Sequence, residues 1–321
     1  MTLAGSLKAP LALPVVCSPM FIASGPELVI AQCAAGVIGS FPALNARPIA
    51  QLHEWLAQIA ETTASTPDSA PYAVNLIVHK SNDRIEEDLA AVVEHRVPIV
   101  ITSLGAREDV NEAVHSYGGI TLHDVINDRF AHKAVDKGAD GLVAVSAGAG
   151  GHAGTQSPFA LVREIRRWFE GPVLLSGAIA HGASILAAQA AGADLAYIGS
   201  AFLATHEANV IDAYKDMIVE SAAGDIVYSN LFTGVHGNYL RGSIVAAGMD
   251  PDNLETSDVS AMSFNSGGGG GDAKAWRDIW GSGHGIGVIG TRTSAADLVG
   301  QLRQEYDEAR DRLARLQTPV R

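Results

Sequence analysis

From about residue 15 to about residue 220, short apolar runs alternate with longer stretches whose apolar residues recur at helical spacing. The short runs predict strands over Val15 to Pro19, Val37 to Phe41, Tyr72 to Val78, Ile99 to Ser103, Gly119 to Asp124, Gly141 to Ser146, Val173 to Ser176 and Leu195 to Gly199. The longer stretches predict helices over Pro26 to Ala35, Ile49 to Glu61, Arg84 to His95, Glu108 to Tyr117, Asp128 to Lys137, Phe159 to Phe169, Ala183 to Ala191 and Ala208 to Ser221. Glycine follows several helices just before the next strand, as in Ala35-Gly36, Lys137-Gly138 and Ala191-Gly192, where a left-handed cap is wanted. Eight successive βα units with short connections favour a closed (β/α)8 TIM barrel over an open doubly wound sheet.

After residue 221 the pattern changes to turn-rich sequence, the glycine run Gly267 to Gly271 and a charged helix over Ser294 to Leu316. The expected organisation is therefore a barrel over 1–221. A post-barrel extension over 222–321, irregular and then helical, is expected to pack on it. The glycine run reads as a flexible loop, with a lid over the barrel as the alternative.

Composition narrows the classes. Of 321 residues, 47% are apolar and 18% charged, ample for a large core. The balance of 22 basic against 35 acidic residues gives −13, which opposes nucleic acid or an anionic membrane as partner. Cys17 and Cys33 sit apart, without metal-ligand spacing, and read as reduced core residues. With neither a leader nor a membrane span evident, the expected location is the cytoplasm. The partners expected are small molecules and, at most, a second copy of the chain in a homodimer.

Candidate chemistry gathers where strands end in glycine. The sixth predicted strand runs into Ala147-Gly-Ala-Gly150-Gly151-His152, placing one imidazole among glycines at a strand exit, where a proton acceptor is useful near neutral pH. The next two strands end in Ser176-Gly177-Ala178 and Gly199-Ser200-Ala201. Backbone N–H groups in these two loops, with the Ser200 hydroxyl, suit one phosphate monoester, and in a barrel they occupy the usual phosphate position. The first strand leads into Cys17-Ser-Pro19-Met20 with no G-x-G-x-x-G, which disfavours a Rossmann dinucleotide site. Asn75 lies inside an apolar run, so its amide needs either a neighbouring strand or a polar heteroaromatic ring as partner. His181 and His206 follow the seventh and eighth strands and are weaker candidates. No His, Asp or Glu cluster stands at ligand spacing on the strand ends, so no metal is expected there.

Taken in order, Pro19-Met20, Asn75, Gly150-Gly151-His152-Ala-Gly154, Ser176-Gly177-Ala-Ile-Ala180, Ile198-Gly199-Ser200-Ala201 and Trp280-Gly-Ser-Gly-His-Gly285 resemble the nitronate monooxygenase family, formerly 2-nitropropane dioxygenases. The resemblance covers nearly the whole chain. It implies a TIM barrel holding non-covalent FMN, with the phosphate on the last two strand loops. Pro19, Met20, Asn75, Gly150 and Gly151 then fall among the cofactor-binding residues. It implies His152 as the catalytic base in oxidation of nitronates or nitroalkanes, with O2 or another acceptor taking the electrons.

The chain departs from the family pattern in two places. Many members read Gln-Gly-x-Glu-Ala-Gly-Gly-His, where this chain has Val145-Ser-Ala-Gly148-Ala-Gly-Gly-His152, without the acidic residue. The post-barrel Thr-Gly-Arg-Pro-Ala-Arg-like segment appears as Thr233-Gly-Val-His-Gly-Asn-Tyr-Leu240. The alternative reaction is therefore an FMN-dependent reductase taking hydride from NAD(P)H and reducing an enoyl thioester or quinone. From a different class, a flavin- or metabolite-binding protein without turnover is the third reading.

Overall fold

The computed structural model describes residues 11–257 and 278–316. The glycine run Gly267 to Gly271 lies outside them. Among the described residues eleven strands follow in chain order: β1 Val15–Cys17, β2 Gly39–Pro42, β3 Tyr72–Ile77, β4 Ile99–Ser103, β5 Ile120–Val125, β6 Gly141–Val145, β7 Gly151–His152, β8 Val173–Ser176, β9 Leu195–Ile198, β10 Ile226–Ser229 and β11 Gly237–Leu240. All but β7, β10 and β11 belong to one eight-stranded parallel sheet, ordered β1-β9-β8-β6-β5-β4-β3-β2.

The two ends of that order meet. Val16 bridges Ile38 in parallel, the Cys17 N–H donates to the Ile38 carbonyl at 2.8 Å, and the Ile38 N–H donates to the Val15 carbonyl at 3.2 Å. The sheet is thereby drawn into a barrel, as the βα repetition predicts. The β2 ladder begins at Gly39, two residues later than expected: the Val37 N–H donates back to Gln32 O in the preceding helix and Ile38 is engaged at this seam.

Side chains alternate across the barrel wall. Val16, Ile38, Ala73, Ile99, Ile101, Leu122, Val143, Leu174, Leu195 and Tyr197 form the interior cluster. Their neighbours Val15, Cys17, Leu142, Ala144, Leu175 and Ile198, with Val74 and Val100 on the other flank, pack outward against helices. Both faces are buried, which explains continuous apolar runs rather than polar alternation. Cys17 and Cys33 are buried and free, as core residues should be.

The helices are α1 Pro26–Ala34, α2 Ile49–Ser65, α3 Ile85–Glu94, α4 Glu108–His115, α5 Asp128–Asp136, α6 Pro158–Ile165, α7 Gly182–Ala191, α8 Ser200–Leu203, α9 Asp212–Glu220, α10 Arg241–Ala246 and α11 Ala295–Arg315. Where one helix was expected over 208–221, the chain makes turns to Ile211 and helix only from Asp212, while the short α8 starts directly at Ser200. The segment after residue 222 is less irregular than its sequence implies. Within it β10 pairs antiparallel with β11, and β11 pairs antiparallel with β7, aligning Gly237 with His152 and Asn238 with Gly151. This second sheet stands at the exit of β6, on the barrel's functional end.

Ser294 caps α11, its hydroxyl accepting from the Asp297 N–H at 3.0 Å, and the helix lies against α7. The contact depends on Gly182. A Cβ there would stand 2.2 Å from Tyr306 N and 2.3 Å from Leu302 O, both backbone atoms that cannot swing aside. Gly182 N–H also donates to Glu305 Oε2 at 2.8 Å. Gly182→Ala is expected to cost about 1–3 kcal/mol by overpacking. Thermal unfolding should register it as a melting temperature several degrees lower, whereas Gly224→Ala, where a Cβ has nothing within 4 Å, should change it little.

Candidate active site

A cavity of about 1940 Å3 opens at the carboxyl ends of the barrel strands. Pro19, Met20, Asn75, Gly150, Gly151, His152, Ser176, Gly177, Ala178, Gly199 and Ser200 all line it. Ala201 does not; it is buried behind the wall beside Ile198 and Phe202 in the barrel-helix core. The strand-end glycines and the imidazole, distant in sequence, thus share one space.

The cavity floor is a polar relay. Counting by two from the interior residues Ala73, Ile101 and Leu122 gives Asn75, Ser103 and Asp124 as the next inward positions of β3, β4 and β5. Asn75 Nδ2 donates to Ile101 O at 3.0 Å and to Ser103 Oγ at 2.7 Å; Ser103 Oγ donates to Asp124 Oδ2 at 2.6 Å. The neighbouring strand therefore satisfies the Asn75 amide N–H groups. Burial pushes the Asp124 carboxyl up to about 6, against a smaller opposing pull from the Ser103 hydrogen bond. Ser103 and Asp124 escaped the sequence reading, although period-two counting from Asn75's layer would have found both.

The three glycine loops pack on one another. Ala178 N–H and His284 N–H both donate to Gly148 O, at 3.1 and 2.9 Å, and Gly283 N–H donates to Ser200 Oγ at 2.9 Å. Gly177 sits at φ +142, and a Cβ there would come within 2.3 Å of Ser146 Oγ and 2.8 Å of Ala147 O. A Cβ on Gly150 would lie 2.8 Å from Gly283 N. These glycines are needed where backbone crosses backbone. The Ser200 and Ala201 N–H groups open α8 and receive no acceptor among the described residues, while the Ala178 N–H is already engaged by Gly148.

His152 is positioned by the second sheet. Its Nε2 lies 3.2 Å from Thr233 Oγ1, whose own proton goes to Val235 O at 3.0 Å. The threonine oxygen therefore accepts from Nε2–H. Burial lowers the His152 pKa to about 4, so the ring is neutral at pH 7. In the sequence Thr233 stands out only as the first residue of the segment that departs from the family pattern; its contact with His152 follows from the pairing of β11 with β7. His181 is structural: its Nδ1 accepts from Ala183 N–H at 3.0 Å and caps α7. His206 joins the post-barrel segment through its backbone, donating to Thr293 O at 2.9 Å.

Among the described residues, His53, Glu94 and His95 bring possible metal-ligand atoms within 4.8 Å of one another, on the outer helices rather than at the strand ends. The 3.1 Å approach of His53 Nδ1 to His95 Nε2 is accounted for as a ring-to-ring hydrogen bond. No described helix is long and apolar enough to cross a membrane.

A sequence profile for nitronate monooxygenase matches residues 83–305. The chain belongs to the nitronate monooxygenase family. It is 26% identical to a nitronate monooxygenase of Paraburkholderia phytofirmans, with 94% of each chain covered. Among solved structures, nitroalkane oxidase from Streptomyces ansochromogenes superposes with TM-score 0.78 at 23% identity, covering 94% of this chain and 97% of the other. FabK from Thermotoga maritima superposes with TM-score 0.76 at 23% identity, covering 95% and 96%. At such identity the two structures establish the shared barrel fold. Membership in the family makes this nitronate monooxygenase relative a flavin-dependent oxidoreductase.

The buried titratable groups set a pH response. His152 and His123, both held near 4 by burial, stay unprotonated in the folded chain between about pH 6.5 and 4, where the unfolded chain takes up protons. Asp124, near 6 against 3.8, acts in the opposite sense between those values. Two groups outweigh one, so their net contribution to stability falls as pH drops from 6.5 towards 4. Urea unfolding at pH 6.5 and 4.5 should show a smaller loss in His152→Asn than in the parent and a larger loss in Asp124→Asn.

Proposed function

We propose that the chain is an FMN-dependent enzyme that oxidises nitronates or nitroalkanes with O2 as electron acceptor. The observation that carries this reading is the convergence of His152 with the strand-end loops after β6, β8 and β9 on one cavity. Its volume exceeds the usual ~300–1,000 Å3 of a small-ligand pocket, leaving room for a cofactor and a substrate together. The loops also fit the cofactor's phosphate. Ser200 offers an N–H group without an acceptor, and its hydroxyl, having accepted from Gly283, keeps its proton to donate.

FMN bound there would supply the two-electron chemistry and the reaction with O2. The chain supplies position and a base. Neutral at pH 7, the His152 imidazole takes the proton from the carbon bearing the nitro group, while Thr233 holds the ring at Nε2. A nitronate has already lost that proton, so His152 matters most for nitroalkanes. Pro19 and Met20 after β1 bound the opposite side of the cavity, with the loop shape held by Asn45 Nδ2 donating to Met20 O at 3.0 Å. The second sheet shields the imidazole from bulk water.

Replacing His152 with Asn is expected to lower nitroalkane turnover by about 10²–10⁴-fold while FMN stays bound. Full activity in that variant would remove His152 from the mechanism. The cofactor and the reaction are tested together by anaerobic absorbance spectroscopy of the purified protein. Bleaching of a flavin band by propionate 3-nitronate and not by NADH or NADPH supports this reading. Bleaching by the pyridine nucleotide alone replaces it with the reductase, and a protein that takes up no FMN refutes the cofactor assignment.

A further inference from the structure

The floor relay ends on an atom without a partner. Ser103 Oγ accepts from Asn75 and donates to Asp124 Oδ2, which fixes the carboxyl's orientation. Asp124 Oδ1 is buried and has no hydrogen-bond partner among the described residues. Nor does any described Lys, Arg or His form an ion pair with Asp124. Tyr197, the titratable group facing it from β9, brings no charge, since burial pushes its phenol well above its ordinary range. Lys133 also lines the cavity, on the exposed side of α5.

A buried carboxylate oxygen without a donor costs free energy, and at a cavity wall the donor it lacks can come from a ligand. Asp124 is such a wall residue. Its layer mate Asn75 has both described Nδ2 contacts inside the protein, so the unfilled positions of this floor are the Asp124 oxygen and, beside it, the Tyr197 hydroxyl.

We propose that Asp124 is a positioning residue for the flavin: its free oxygen receives an N–H of the bound ring system, and its negative charge lowers that flavin's reduction potential. The inference rests on the FMN reading above. Its electrostatic half does not require knowing which ring edge meets the carboxylate. A fixed negative charge in a poorly screened cavity disfavours adding electrons to any group beside it. A lowered potential makes the reduced flavin a stronger donor to O2, which suits an oxidase.

The test is the midpoint potential of the FMN-loaded full chain, measured by spectroelectrochemistry at pH 8, where a carboxyl titrating near 6 is ionised. Asp124→Asn keeps the size and can still accept from Ser103, so the fold should persist, as far-UV circular dichroism would verify. Its potential is expected to rise above that of the parent. Asp124→Glu, which restores the charge, is expected to return towards the parent value. A role confined to packing would leave the potential unmoved in both variants. Equal potentials in parent and Asp124→Asn, with FMN bound to each, would overturn the assignment while leaving the FMN reading intact. Failure of the parent to take up FMN would instead remove both together.

Discussion

The seam between Val16 and Ile38 is the contact on which the arrangement depends, because it converts an ordered row of parallel strands into a closed wall. Closure points every strand's carboxyl end to the same side. It also commits each strand to one inward and one outward face, so a residue's parity along its strand decides whether it meets the cavity or a helix. Asn75, Ser103 and Asp124 form a relay because β3, β4 and β5 are in register. Thr102 and His123, one residue earlier than Ser103 and Asp124, pair with each other, with Thr102 Oγ1 2.5 Å from His123 Nδ1, and His123 reaches the cavity as well.

Above that wall the structure is held by backbone meeting backbone. Gly148 O accepts from two separate segments, and Gly150, Gly177 and Gly283 leave no space for a Cβ. Loops packed this closely are stiffer than their glycine content implies, since each carbonyl and N–H used in crossing is fixed by its partner. The same crossings leave Ser200, the first residue of α8, at the cavity wall. Glycine here serves the assembly of the site before it serves any ligand.

Burial then sets the chemistry of the two titratable side chains that matter. His152 is enclosed by the second sheet and stays neutral, held through Nε2 by Thr233. Asp124 is enclosed by the barrel and is harder to ionise than an exposed carboxyl. The two face one cavity from opposite layers, the histidine from the cap and the aspartate from the floor. Neither environment follows from residue type; each follows from which element covers the group.

The hydrophobic rhythm by itself favoured the eight-stranded barrel over an open sheet, because eight successive βα units with short connections let each strand pair with its sequence neighbour, and strand ends such as Ile99–Ser103 and Val173–Ser176 were legible to the residue. The glycines and His152 were legible as a group because they follow strand ends, which closure brings to one rim. What the tertiary structure alone decided is contact between distant segments. The post-barrel strands, the Thr233 hold on His152 and the burial of Ala201 behind the wall arise from packing between residues tens of positions apart, and local sequence carries no signal of such pairing. The Asp124 relay lies between these cases: strand parity was present in the sequence, but the register that joins Asn75, Ser103 and Asp124 exists only once the sheet has closed.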